Sequence, residues 1–371
     1  MESCSNGCGH AAFRSAPRSP FRTGVGSLTS CSISLLEHGH VVRVAIVGAG
    51  KIGERHLAAY REIENAEVVG VLDPQEGRRG QFVAAAGGGL RPYHTLDELL
   101  GDPEIDVVDI CSPTSAHFAQ VSQSIAARKT VFCEKPLAQH PAEIDELERQ
   151  AAHAGVSLRV GYVYRFHPRI QRLKERLGED AFGTPRFAML RIGGRGSHRV
   201  WKHNRAEGGG VLLDMASHMV DLAYWLFGAV AEVEPLYDGL LVPKREIEGV
   251  FVDVDADDLV VLRLQSRSGV EILIHADFLS PGFANSIEVT GDNGSALVSV
   301  ISGIPDRYTL LTAAADLNAG ETLEPGDFAD MLARELTGFV DDVEAGQVVQ
   351  EIGASRVVAE VVEGFMRRSG E

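Results

Sequence analysis

The chain has no excess of positive charge, no long apolar run and no paired cysteine spacing, and each absence narrows what it can do. Of its 371 residues, 35 are Lys or Arg and 52 are Asp or Glu, a formal net charge of −17. Duplex affinity rests largely on cations that neutralise phosphates, so no nucleic-acid partner is expected. No stretch approaches the roughly 20 consecutive apolar residues of a membrane helix, so no membrane association is expected. The five cysteines, Cys4, Cys8, Cys31, Cys111 and Cys133, make no zinc-type pair of pairs and cannot all pair with one another. No metal centre is therefore expected. Cys111 and Cys133 lie in apolar runs and read as buried reduced thiols, which fits a cytoplasmic protein. Internal repeats and long linkers are missing too.

What is present is an ordinary globular balance, 44% hydrophobic and 23% charged, over a length that suits two domains better than one. Residues 1–40 stand apart: rich in Ser, Gly and Arg, poor in acids and without apolar periodicity. They lack the continuous apolar core of a secretory signal. They read as a disordered N-terminal extension, with Val41 near the true start.

From residue 41 a rhythm sets in. An apolar, β-branched strand over 41–47 ends in glycines 48, 50 and 53, and a helix follows to about 61. Further strands are expected over 67–72, 105–111, 130–133 and 157–163. Helices are expected over 116–128 and from Pro141 to about 154, with a short one from a capping-box pattern at Thr95. Strands alternating with helices of this length make βαβ units, so residues 41–163 read as a doubly wound parallel sheet. Beyond 164 the rhythm changes. A helix over 168–177 and a strand over 186–192 precede a Gly- and Arg-rich loop and a long helix over about 211–227. Period-2 stretches at 259–264, 270–274 and 286–290 read as neighbouring antiparallel strands. Two helices, about 328–344 and 351–367, close an α+β domain spanning 164–371, and the last of them is expected to pack back on the first domain.

Three clusters carry chemistry. Gly48, Gly50 and Gly53 fall between a strand and a helix, and Asp73 lies 20 residues past Gly53. That is the context of a dinucleotide fingerprint. Gly48 permits the tight turn, Gly50 allows backbone to approach a pyrophosphate, and Gly53 lets helix pack on strand. Lys51 and Ile52 open the helix whose N-terminus faces the phosphate. Asp73 would accept from ribose hydroxyls and repel a 2′-phosphate, which favours NAD over NADP; Arg78 and Arg79 lie close enough to weaken that preference.

Lys135, between Glu134 and Pro136, follows the strand over 130–133. Ligands of such a sheet bind outside the carboxyl ends of its strands, so Lys135 is expected in the cofactor crevice, with a cis peptide to Pro136 as a means of aiming it. The third cluster runs from the glycines at 208–210 to Asp214 and His218. Asp214 and His218 are spaced to share one helix face. The glycines would let backbone approach a flat ring, and the carboxylate would orient the imidazole and raise its pKa, as suits a general base. A structural pair and a pair of metal ligands are the competing readings.

Taken in order, Gly48 to Gly53, Cys111 to Thr114 with His117, Cys133 to Pro136, residues 160–168 and residues 208–218 resemble the Gfo/Idh/MocA oxidoreductases over about residues 41–371. The resemblance implies that Lys135 contacts the nicotinamide ribose and the reacting hydroxyl. His218 would be the acid/base, and Asp214 would bind a neighbouring hydroxyl or orient the histidine. Ser112, Pro113, Thr114, His117 and Glu134 would line the cofactor, and Tyr162 and Arg165 would stand at the mouth of the substrate pocket. The implied reaction is reversible hydride transfer between NAD and a ring alcohol of a sugar, cyclitol or sugar derivative. A homodimer or homotetramer formed through the C-terminal sheet is implied as well. The same resemblance admits two alternatives: an NAD-retaining glycoside hydrolase, and a non-catalytic NAD- and sugar-binding sensor.

Overall fold

The computed structural model describes residues 41–194, 200–205, 209–247 and 249–369. The expected N-terminal extension and Gly208 lie outside them.

Six parallel strands form the first sheet: β1 (Val42–Val47), β2 (Ala66–Leu72), β3 (Arg91–Tyr93), β4 (Val107–Ile110), β5 (Thr130–Glu134) and β6 (Leu158–Gly161), in the order β3-β2-β1-β4-β5-β6. β1 and β4 are buried along almost their whole length, as a sheet covered on both faces requires. The strand order reverses between β1 and β4, which opens a crevice at their carboxyl ends. The covering helices are α1 (Lys51–Tyr60), α2 (Glu76–Ala85), α3 (Leu96–Leu100), α4 (Thr114–Ala126) and α5 (Pro141–Ala154). Thr95 does cap α3, its hydroxyl accepting from the Glu98 amide at 3.2 Å. The edge strand β3 and helix α2 have no counterpart in the sequence reading, because β3 is only three residues long and α2 carries little apolar pattern.

α6 (Pro168–Gly178) leads into β7 (Pro185–Gly193), and α7 (Ser217–Phe227) follows. The second sheet has eight strands: β7, β8 (Val230–Gly239), β11 (Leu259–Ser266), β12 (Glu271–Asp277), β13 (Ala284–Gly291), β14 (Gly294–Val298), β15 (Asp306–Leu310) and β16 (Gly320–Glu324). β9 (Lys244–Ile247) and β10 (Val250–Asp253) make a separate hairpin. The large sheet is antiparallel except where β7 inserts between β13 and β12 and runs parallel to β12. Its inner face is legible in the strict alternation of β11 and β13. α7 lies on this face with Val220, Leu222, Ala223 and Leu226 buried.

The closing helices are α8 (Met331–Glu344) and α9 (Gly353–Ser369). α8 buries Leu336, Phe339 and Val340 in one apolar cluster with Val44 of β1 and Leu57 of α1. α9 packs on α5 and α7, and Arg356 reaches Asp145 of α5 at 2.5 Å. Among the described residues, no helix is long and apolar enough to cross a membrane.

Candidate active site

The turn after β1 is shaped by close approach. Gly48 has φ +110, and a Cβ there would stand 2.8 Å from the backbone of Cys111. A Cβ at Gly53 would lie 2.2 Å from the Gly48 carbonyl oxygen, so only glycine lets α1 start so close to the strand. Gly50 differs: a Cβ would meet nothing within 4 Å, and no side chain caps α1 from this position. Lys51 and Ile52 are exposed beside it. The first-turn amides of α1 thus face an open cradle, which fits a dinucleotide pyrophosphate.

Asp73, just past the end of β2, is almost fully buried. One carboxylate oxygen accepts from the Ala49 amide at 2.9 Å and the other from the Gln75 amide at 2.8 Å. Arg79 turns inward, donating to the Asp73 carbonyl at 2.7 Å and contacting His94 at 3.1 Å, while Arg78 stays exposed. Past β4, Ser112 donates to Gln120 at 2.5 Å, Pro113 caps α4 and Thr114 begins it. His117 is buried. Its ring nitrogens lie 2.8 Å from the Pro136 carbonyl and 2.9 Å from the Ser112 carbonyl, so it ties together the segments that follow β4 and β5. Burial lowers its pKa. The neutral ring donates to one of the two carbonyls.

At the end of β5, Glu134 Oε2 accepts from the Lys135 amide at 3.2 Å, and the Lys135–Pro136 peptide is cis. The Lys135 ammonium crosses to the second half of the chain and donates to the Asp214 carbonyl at 2.8 Å, with Asp214 Oδ1 at 3.7 Å. Asp214 sits in a π-helical turn, Leu212–Ala216, rather than in the regular helix expected there. Such turns recur at functional sites.

Lys202, which the sequence reading passed over, donates to Asp214 Oδ1 at 2.5 Å. Its placement explains the glycines. A Cβ at Gly209 would stand 2.6 Å from the Lys202 backbone, and one at Gly210 (φ +114) would stand 2.4 Å from the Asp257 carboxylate. The glycines let the Lys202 segment pass against the start of the turn, where the Gly210 amide donates to the Lys202 carbonyl at 2.9 Å. The only sequence signal for Lys202 was its nearness to those glycines.

His218 begins α7 beside Tyr164, with ring centroids 5.0 Å apart. Its Nδ1 is buried without a hydrogen-bond partner among the described residues. The Asp214 charge does raise the pKa of this ring, as the spacing suggests, but other influences outweigh it. The Asp214 carboxylate is turned to two lysines, and burial together with the Lys135 charge pulls the imidazole down to about 3. Burial also lowers Lys135. Burial would raise Asp214, but Lys135 and Lys202 hold its carboxyl below the usual range.

Tyr162 and Arg165 are not gathered with these groups. The Tyr162 hydroxyl pairs with Ser355 at 3.1 Å, and Arg165 makes a forked, buried pair with Asp221, its Nε 2.9 Å from Oδ2. Burial pushes the Asp221 carboxyl up to about 6 against the pull of Arg165.

Residues 42–162 match the family model for the Gfo/Idh/MocA oxidoreductase family with an NAD-binding Rossmann fold, and residues 170–297 match the model for the C-terminal domain of the same family. A myo-inositol 2-dehydrogenase of Thermotoga maritima is 32% identical over 309 residues, covering 82% of this chain and 89% of the relative. An inositol 2-dehydrogenase of Acidothermus cellulolyticus is 30% identical, covering 83% of this chain and 86% of the relative. The fold matches a levoglucosan dehydrogenase solved with NADH and levoglucosan at a TM-score of 0.78, with 19% identity, 89% of this chain and 97% of that one.

Proposed function

The chain belongs to the Gfo/Idh/MocA family of NAD-binding oxidoreductases, and we propose that it oxidises or reduces a ring secondary alcohol of a sugar, cyclitol or sugar derivative. The observation that carries this reading is the meeting of the Lys135 ammonium with the Asp214 turn, beside a buried His218 Nδ1 without a partner among the described residues, at the strand end where a Rossmann sheet binds its ligand. Relatives named inositol 2-dehydrogenases support the cyclitol class.

When bound, NAD supplies the hydride acceptor or donor at its nicotinamide ring. The Gly48 turn and the α1 amides hold the pyrophosphate, and Asp73 takes the ribose hydroxyls. Ser112, Pro113, Thr114 and Glu134 line the crevice. The Lys135 cation stabilises charge developing on the substrate oxygen. His218, kept neutral by its desolvated setting and the Lys135 charge, takes the hydroxyl proton as an unprotonated base. Asp214, held by Lys202, accepts from a neighbouring hydroxyl. The large sheet would join copies of the chain through strands that expose Phe187, Leu236 and Tyr237.

Screening polyols and sugars for NADH formation tests the reading, with glycoside release as the counter-assay. NADH formation from a cyclitol supports it. Glycoside cleavage without net redox, or NAD binding without turnover of any polyol, would replace it.

A further inference from the structure

Behind Glu134 lies a layer of polar groups that the chemistry above does not use. His56 stands on the inner face of α1, fully buried. Its Nδ1 lies 2.8 Å from Asp109 Oδ2 on β4, and its Nε2 lies 3.1 Å from Glu134 Oε1 at the end of β5. The Phe132 ring packs on it edge-to-face at 5.7 Å. His56, Asp109 and Cys111 would also suit a metal ion by distance. Both ring nitrogens, however, already face carboxylates, and the Cys111 thiol donates to Asp109 at 3.5 Å. The cluster is closed on itself.

Two ionised carboxylates can only accept, and a neutral imidazole has one N–H to give. Ionised partners on both nitrogens therefore require an imidazolium. Burial, the largest single influence, opposes that charge, but the charges of and hydrogen bonds to Asp109 and Cys111 together raise His56 well above its usual value. Burial would likewise raise Glu134, yet the hydrogen bond and charge of His56 hold it low. The other titratable groups facing the pair are Tyr60 on α1, Cys111 just past β4, Cys133 and Lys135 on and beside β5, His218 on α7 and Glu335 on α8. Burial pushes the Tyr60, Cys111, Cys133 and Glu335 groups upward, toward their neutral forms.

We propose that His56 is a positioning residue for the reaction, clamped between Asp109 and Glu134 so that the Glu134 carboxylate stays ionised and fixes the peptide from which Lys135 enters the site. One oxygen of Glu134 is held by His56 and the other by the Lys135 amide, so the clamp ends one bond from the Lys135 backbone. The inference rests on the reading of Lys135 and Glu134 as residues lining the nicotinamide. Without His56, Glu134 is a half-buried carboxylate with a single amide donor, and it takes up a proton more readily. The sign follows: Glu134 is neutral at the acid end and ionised at the alkaline end, so the defect grows as pH falls.

The test uses the full chain and NADH as the probe, followed by fluorescence from mildly acidic to alkaline pH. His56→Asn should bind NADH about tenfold more weakly at the acid end and recover toward wild type at the alkaline end. In Glu134→Gln that pH dependence should be gone, and adding His56→Asn to it should restore none. Nitrogen NMR of the histidine rings reports the clamp without any cofactor. His56 should be doubly protonated at neutral pH and should titrate lower in Glu134→Gln, a variant that keeps the test open if His56→Asn does not fold. An NADH affinity in His56→Asn that is unchanged, or shifted equally at every pH, would overturn the inference, as would a singly protonated His56 at neutral pH. Lys135→Ala separates the two failures: unchanged NADH affinity and activity in that variant sink the reading of the site, while the NMR result on the clamp stands apart.

Discussion

Lys202 Nζ lies 2.5 Å from Asp214 Oδ1, closer than the 3.7 Å from the same oxygen to Lys135 Nζ. The carboxylate of the π-helical turn therefore answers to two cations from different parts of the chain, one beyond a parallel strand and one from the segment that precedes the glycines. Lys202 holds the side chain while Lys135 takes the backbone carbonyl.

This division predicts a phenotype for Lys202→Met. Asp214 should lose its nearer cation, its carboxyl should rise toward its ordinary value, and kcat/KM should fall about tenfold. Steady-state kinetics on the polyol found by screening checks it. Wild-type kcat/KM in this variant would mean that Lys135 alone suffices to hold Asp214.

The roles of Lys135 and His218 differ in a measurable way. Lys135→Ala should lower kcat and kcat/KM together, as expected when a charge in the transition state loses its partner, and should also weaken NADH binding. His218→Ala should lose roughly 10²–10⁴-fold in rate with little change in NADH affinity. Stopped-flow rates paired with fluorescence titrations separate the two. A near-normal kcat in His218→Ala would remove the imidazole from the proton transfer.

The pH profile follows from the same residue. His218 acts as a base only when unprotonated, and burial together with Lys135 holds its pKa at about 3. As pH falls, the free enzyme keeps its neutral imidazole through the usual histidine range. The kcat/KM profile should thus show no acid limb near the ordinary histidine value of ~6.5. A limb at that value, lost in His218→Ala, would show that the ring is more solvated than its surroundings indicate.

Cofactor choice should favour NAD. Asp73 presents a carboxylate at the end of β2, and Arg79, the nearer buried cation, is already bound to the Asp73 carbonyl. Calorimetry should find NAD tighter than NADP, with Asp73→Ser narrowing the difference. Tighter NADP binding to the wild type would place the exposed Arg78 on the 2′-phosphate.

Arg165→Met should destabilise the fold. It would leave the buried Asp221 carboxylate without its forked partner, and breaking a buried pair on one side costs about 3–5 kcal/mol. Urea unfolding measures it. Arg165→Met with Asp221→Asn should recover part of the loss, because the amide carries no stranded charge.

The sequence by itself determined the alternation of strands and helices from β1 to β6 apart from α2 and β3, because a βαβ rhythm with glycines at a strand end is a local pattern that backbone sterics enforce. It also marked Lys135, Asp214 and His218, since strand ends and helical spacing can be read without knowing the partner element. The short strand β3, the parallel insertion of β7 and the return of α8 to β1 were decided by tertiary contacts that carry little periodicity of their own. The electrostatics of the site belong to the same class. Spacing put Asp214 beside His218, but it could not show Lys202 arriving over Gly209, or Tyr162 and Arg165 turned away to Ser355 and Asp221. Nor could it show His56 joining Asp109 to Glu134 across 53 and 78 residues of chain. A pKa depends on how much water is removed and which charges remain, and both are set only when distant segments pack.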